Sequence, residues 1–170
     1  SKASLLVVGS EMLDPRRPDA NGPVARERLA ELGIPLSQVI RVEDREDTIA
    51  AALISALATS DVVIASGGLG PTGDDLTRQG VARALGRTVV IDEPWLAELT
   101  RRVESRGRTL TEAGRRQALV VEGGEAIPNP RGLACGTLLE VEGKIVALLP
   151  VVVPEFAGML EAHVLPRLAT

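Results

Sequence analysis

Aromatic residues are almost missing from this chain: Trp95 and Phe156 stand alone among 170 positions, and there is no tyrosine. Modules that hold single-stranded nucleic acid stack bases on aromatic side chains, so the scarcity argues against such a module. An excess of basic charge is missing too. Nineteen Lys and Arg against 23 Asp and Glu leave a net charge of −4, the wrong sign for affinity drawn from phosphate neutralisation. The lone cysteine, Cys135, has no partner for an intramolecular disulfide, and the lone histidine, His163, offers neither a zinc cluster nor a well-placed general base. The longest apolar run, 145–153, falls far short of the ~20 residues a membrane helix needs. The amino-terminal SKASLLVVGSE is likewise too short an apolar stretch for a signal peptide. These absences predict a soluble, cytoplasmic protein with neither nucleic acid nor membrane as a partner.

What the chain does have is Leu, Val, Ala and Ile, within a composition 45% hydrophobic and 25% charged. That is enough to build one core, and we expect a single domain over 1–170. Residues 4–9, 36–42 and 61–66 read as strands. Residues 24–32 (closed by Gly33), 47–58 and 76–85 (closed by Gly86) read as helices. This alternation predicts an α/β fold with a mostly parallel sheet and helices on both faces. The second half is less regular. Residues 93–106 and 111–119 look helical, 127–136 is a Pro- and Gly-rich loop, and 154–168 reads as a closing helix. Between them, 138–141 and 144–149 flank Glu142-Gly143 as a hairpin, which adds an antiparallel element late in the chain.

The strongest local signal is Ser66-Gly67-Gly68-Leu69-Gly70-Pro71-Thr72-Gly73-Asp74-Asp75-Leu76-Thr77, which follows a buried strand and precedes a helix. Gly67, Gly68, Gly70 and Gly73 would let backbone N–H groups approach an anion, and Thr72 and Thr77 add hydroxyls. Two adjacent carboxylates would repel a bare phosphate, but they suit a divalent cation held between carboxylate and phosphate, as Mg²⁺ is. A tight turn with Asp74 and Asp75 capping the next helix would explain the same residues without any ligand. The Gly-Lys-Ser/Thr ending of a Walker loop is absent.

The string GGLGPTxDDLT resembles the signature of the CinA amino-terminal domain, a branch of the MoaB/Mog molybdopterin-binding fold. Further matches follow in order: Gly9-Ser10-Glu11-Met12-Leu13, Asp19-Ala20-Asn21, Val42-Glu43-Asp44, Arg116-Gln117-Ala118 and Asn129-Pro130-Arg131-Gly132. The resemblance implies a three-layer α/β/α domain whose site is lined by the loops after successive strands. It also implies molybdopterin as a ligand, and a pyrophosphate linkage either made, as in the Mg-ATP-dependent adenylation of molybdopterin, or broken, as in metal-dependent hydrolysis of ADP-ribose. Full-length CinA proteins carry a further carboxy-terminal deamidase domain, to which the resemblance over these residues does not extend.

On this basis Asp44 and Asp75 are the expected catalytic and metal-binding residues, with Asp74 as a further metal ligand. Glu11, Asn21, Gly67, Gly68, Gly70, Pro71, Thr72, Thr77, Asn129 and Glu155 are expected to bind substrate or phosphate. A solvated charged turn would also explain Asp44, and a helix cap Asn21. A small phosphorylated pterin or nucleotide is the expected partner, and the fold predicts a homo-oligomer.

The chain departs from the family's L-P-G-V-P-x-E loop at Leu149-Pro150-Val151-Val152-Val153-Pro154-Glu155, where Val151 replaces a glycine. Valine there would strain a backbone that needs positive φ. Cys135 replaces a proline, and 14–18 (DPRRP) replaces a small, Gly-containing stretch. A binding domain without turnover, a paralogue acting only through oligomerisation, and a molybdopterin adenylyltransferase-like enzyme are the alternative readings, and the apolar 145–153 segment reads equally as part of an interface or as a core strand. Arg101, Arg102, Arg106 and Arg108 form a basic helix end that is either a solvated face or the guard of an anionic pocket.

Overall fold

Runs without a polar face become central strands, because both of their sides must be covered. Every residue of β1 (Ala3–Val8) and β3 (Val62–Ser66) is buried. The computed structural model describes residues 1–9 and 19–170, so Glu11 and the 14–18 loop lie outside the described residues. Between and after these strands come α1 (Asn21–Ala30), β2 (Leu36–Val42), α2 (Glu46–Thr59), α3 (Thr77–Leu85), β4 (Val89–Ile91), α4 (Glu93–Ser105) and α5 (Glu112–Arg115). The chain finishes with β5 (Leu119–Val121), β6 (Glu125–Ile127), β7 (Gly136–Val141), β8 (Lys144–Leu149), α6 (Val153–Met159) and α7 (Leu165–Leu168).

The main sheet has the order β2-β1-β3-β8-β7-β6. The first four strands are parallel, and β7 runs antiparallel to both β8 and β6. Alternation sorts its side chains. Ala3, Leu5, Val7, Ile64, Ala147 and Leu149 meet Leu29 of α1 and Phe156 of α6 on one face. Leu6, Val8, Val63, Ala65 and Leu148 meet Ile49 and Leu53 of α2 and Val81 of α3 on the other. The result is the expected three-layer α/β/α arrangement with a mostly parallel sheet. Full burial of each large aliphatic side chain contributes about 1.5–3 kcal/mol. A separate cluster of Trp95, Leu99, Ala118, Val120 and Cys135 supports a small lobe, in which β4 and β5 pair antiparallel beside α4.

Two details differ from the sequence expectation, and two agree with it. The 111–119 helix breaks into α5, one 3₁₀ turn (Arg116–Ala118) and the start of β5. The closing helix is interrupted by a π turn, Leu160–Val164. The 145–153 segment takes the core-strand reading of its two: it is mostly β8, between β3 and β7. The hairpin turn falls at Glu142 and Gly143, with φ of 49° and 79°, the positive pair a two-residue turn requires. Among the described residues no helix is long and apolar enough to cross a membrane.

The order of connections matters for function. From β1 the chain passes to α1 on one face of the sheet, whereas from β3 it passes to α3 on the other. Neighbouring parallel strands whose connections diverge leave an open crevice at their carboxyl ends, where open α/β sheets bind ligands.

Candidate functional site

The loop after β3 is built to stay open. The Gly67 N–H extends the sheet by donating to the Leu149 carbonyl at 2.9 Å. Gly67 and Gly68 then turn with φ of 100° and 69°. A Cβ on Gly67 would lie 2.6 Å from the Val8 carbonyl oxygen, and one on Gly68 would lie 2.0 Å from Thr77 Oγ1, so neither position accepts a side chain. Thr77, the first residue of α3, closes the loop by donating its hydroxyl to the Gly67 carbonyl at 2.7 Å. At the far end of the turn, Asp75 Oδ2 accepts from the Thr72 N–H at 2.9 Å and from the Thr72 hydroxyl at 2.8 Å. Neither Asp74 nor Asp75 caps α3, whose N-cap position is Leu76 without a side-chain bond.

Beneath the loop lies Arg78, 1% exposed. Its Nη2 donates to the Leu69 carbonyl at 2.8 Å, while Nε has no partner and no carboxylate pairs with it among the described residues. Burial pulls the guanidinium down to about 10, which still leaves it protonated at neutral pH. In a trans peptide the C=O and N–H point in opposite directions. Tethering the Leu69 oxygen to the interior therefore turns the Gly70 N–H away from it, over a full buried positive charge. The N–H groups of Gly68, Leu69 and Gly70 have no acceptor among the described residues. Together these features give the hollow the chemistry that an anion site requires.

Above the loop is a cavity of about 390 Å³ lined by Gly67–Gly70, Asp75, Gln117, 132–134, 150–152 and Glu155. Asn129 is buried and donates through Nδ2 to Glu155 Oε1 at 2.7 Å and to the Ala134 carbonyl at 3.0 Å. Asn21, 3% exposed, donates through Nδ2 to Ser66 Oγ at 3.0 Å and to the Val151 carbonyl at 2.8 Å. It thereby joins α1, β3 and the segment after β8. Asn21 does not cap α1, whose N-cap position is Ala20 without a side-chain bond; just before it, Asp19 accepts from the Gly22 N–H at 2.9 Å. Val151 stands at the family's glycine position without a left-handed backbone, since Glu142 is the only non-glycine with positive φ among the described residues.

The structure thus brings Gly67, Gly68, Gly70, Asp75 and Glu155 to one cavity, with Asn129 behind Glu155 and Asn21 and Thr77 beneath the rim. Pro71 and Thr72 line an adjoining cavity. Asp44 follows β2, two strands from β3 on the same sheet edge, and neither it nor the exposed Asp74 lines the first cavity. Among the described residues no group of three or more acidic, His or Cys side chains could hold a metal. A divalent cation here would take Asp75 and Glu155 as carboxylate ligands and complete its shell with ligand phosphates and water, which is how Mg²⁺ is ordinarily held.

Gln117 is a lining residue that sequence reasoning left unassigned, although Arg116-Gln117-Ala118 was the visible signal. Arg102 is structural: it stacks on Trp95, 4.9 Å from the ring centroid, and donates to the Asn129 and Gly132 carbonyls. Arg101 and Arg102 together hold Glu98 down to about 2. Cys135 is fully buried, and desolvation pushes its thiol up to about 12, so it is no nucleophile.

The family model described as "Probable molybdopterin binding domain" matches residues 4–170. The CinA-like protein of Solibacter usitatus is 39% identical over 98% of this chain and 40% of its own length. The chain spans about two fifths of the length of the curated relatives it matches. The crystal structure of CinA from Thermoplasma acidophilum, described as a protein of unknown function, is 35% identical and superposes with a TM-score of 0.89 over 97% of this chain and 96% of that one. The fold is shared more distantly with the molybdopterin biosynthesis enzyme MoaB of Thermus thermophilus, at 23% identity, with a TM-score of 0.65 over 98% of this chain and 91% of that one.

Proposed function

This chain belongs to the molybdopterin-binding domain family as a CinA-like member, and on that premise we propose that it binds a phosphorylated pterin or nucleotide together with a divalent cation and hydrolyses a pyrophosphate linkage of the ADP-ribose type. The observation that carries this reading is the pairing of the Gly68–Gly70 amides, over buried Arg78, with the Asp75 and Glu155 carboxylates across one cavity. The amides suit the charge on a diphosphate, and the carboxylates suit a cation lying against it. Bound there, the cation would supply charge neutralisation at the phosphoryl oxygens.

The chain's own residues have separate tasks in this reading. Thr72 fixes Asp75 by gripping Oδ2, which leaves Oδ1 for the cation. Asn129 orients Glu155 in the same way. Asp44, on the same edge of the sheet, is proposed to help orient water or metal, with Asp74 as an outer ligand. Water adds to one phosphorus, the bridging P–O bond breaks, and two phosphomonoesters leave.

With Mg²⁺, ADP-ribose should yield AMP and ribose 5-phosphate, and Asp75→Asn should abolish that yield. Unaltered turnover in the variant would refute the assignment. Val151 and Val152 in the cavity wall favour a second reading, binding without turnover; calorimetry showing tight association and no products would establish it. Self-association is also proposed, on the family resemblance, and light scattering in solution tests it.

A further inference from the structure

Beside the first cavity lies a larger one, of about 530 Å³, bounded by the 71–73 turn, the end of α4, the 108–111 segment and α5. The two share Gln117 and Leu133 as a common wall. Their chemistry is opposite. The first is lined by two carboxylates and no cationic side chain; the second is lined by Arg106, Arg108 and Arg116 and by no carboxylate.

Among the described residues six of 15 arginines pair with carboxylates: Arg28, Arg45, Arg101, Arg102, Arg115 and Arg167. Among the described residues Arg106, Arg108 and Arg116 form no ion pair. Among the described residues their side chains make one hydrogen bond, from Arg116 Nη1 to the Pro71 carbonyl at 3.4 Å, which ties the basic rim to the glycine loop. An acidic protein that gathers three unpaired guanidiniums around one hollow, with Val103, Leu110 and Leu133 as apolar wall, presents a receptor for an anion carried on a less polar body.

We propose that this second cavity is the subsite for one phosphorylated half of a two-headed ligand, whose other half occupies the first cavity and whose diphosphate crosses the 70–72 ridge. The assignment rests on reading the glycine hollow as a diphosphate site. It narrows the substrate class to diesters of pyrophosphate with a head group on each side, and it makes Arg106, Arg108 and Arg116 specificity residues. After cleavage, the phosphomonoester left in the second cavity carries the extra negative charge that three guanidiniums would hold, so the arginines also retain that product.

The test uses ¹⁵N-labelled protein titrated with ribose 5-phosphate, AMP and ADP-ribose in turn. Ribose 5-phosphate should shift the amides of Gly107, Thr109 and Gly114, and Arg106→Gln/Arg108→Gln should remove those shifts. ADP-ribose should shift both these amides and those of Gly68 and Gly70, and the double variant should weaken its binding about tenfold or more, with a shallower salt dependence. Arg116→Gln gives a second, independent readout. Wild-type shifts confined to 67–70 for every probe would overturn the proposal, as would undiminished ADP-ribose affinity in the variants. Phosphate-dependent shifts at 107–114 without any hydrolysis would instead leave this subsite standing and overturn the hydrolase reading.

Discussion

Arg78→Met separates two things a buried cation can do. In the folded protein the guanidinium makes one charge-assisted bond, to the Leu69 carbonyl, and leaves Nε unpaired. Removing it strands that carbonyl, at a cost of about 1–3 kcal/mol. It also relieves the burial of an unpaired charge, and exchanging buried ions for apolar isosteres runs from neutral to about 1–4 kcal/mol stabilising. These opposed changes largely offset, so stability should move by at most about 3 kcal/mol in either direction, at about 2–4 °C in Tm per kcal/mol for a chain of this length. Ligand binding has no such compensation. Once the Leu69–Gly70 peptide is untethered, the Gly70 N–H is no longer held toward the hollow, and one hydrogen bond to the anion is lost. At about 1.5–3 kcal/mol for a bond to a charged group, Kd should rise roughly 10- to 150-fold. Calorimetry with ADP-ribose measures that change, thermal denaturation measures the stability, and the Gly70 amide resonance reports the peptide directly. Arg78→Lys, which keeps the charge but not the planar fork, should fall between the two. Wild-type affinity in Arg78→Met with an unmoved Gly70 resonance would refute the reasoning.

Why Arg78 escaped sequence reading is instructive. At the second position of a helix after two aspartates, an arginine looks like solvated surface. Its burial is a tertiary effect: α3 packs so closely on α2 that a Cβ at Gly80 would sit 2.5 Å from Ile49 Cγ2. The central strands were legible because burial on both faces leaves no polar position, and the helix ends because Gly33 and Gly86 take φ of 72° and 67°. The strands β4, β5 and β6 were not, for each is three residues long. The β4 partner, β5, begins 28 residues after β4 ends, and only that pairing distinguishes Val89–Ile91 from a loop. The glycine string marked the loop that lines the cavity, but the acidic geometry followed from contacts no spacing encodes: Thr72 holds Asp75, and Asn129 holds Glu155. Thr77, expected to face phosphate, is consumed in closing the loop.

Gly132→Ala should lower ligand affinity or turnover more than stability, because the added Cβ would stand 2.2 Å from Glu155 Oε1 and drive the carboxylate off Asn129; paired calorimetry and melting curves check the ratio. The Cys135 thiol should resist a thiol reagent at pH 8 until the protein is unfolded. Its folded pKa of about 12 lies above the ordinary 9.0, so its contribution to stability is full below pH 9 and is lost as pH rises toward 12. Relative to Cys135→Ala, the wild type should therefore lose up to about 1.4 kcal/mol per pH unit across that window, measured by chemical denaturation. Asn21 yields the sharpest contrast, because its amide nitrogen faces two oxygens, Ser66 Oγ and the Val151 carbonyl. Asn21→Ala removes both bonds and strands the half-buried Val151 carbonyl, for a loss of about 1–3 kcal/mol. Asn21→Asp keeps the size but sets a buried carboxyl against the Val151 oxygen. Only the Ser66 hydroxyl can turn to donate to it, so the aspartate should destabilise more than the alanine at pH 8 and recover as the pH falls and the carboxyl takes up a proton to donate. An aspartate variant as stable as wild type at pH 8 would show that shape, rather than donation by the amide, joins α1 to the floor of the cavity.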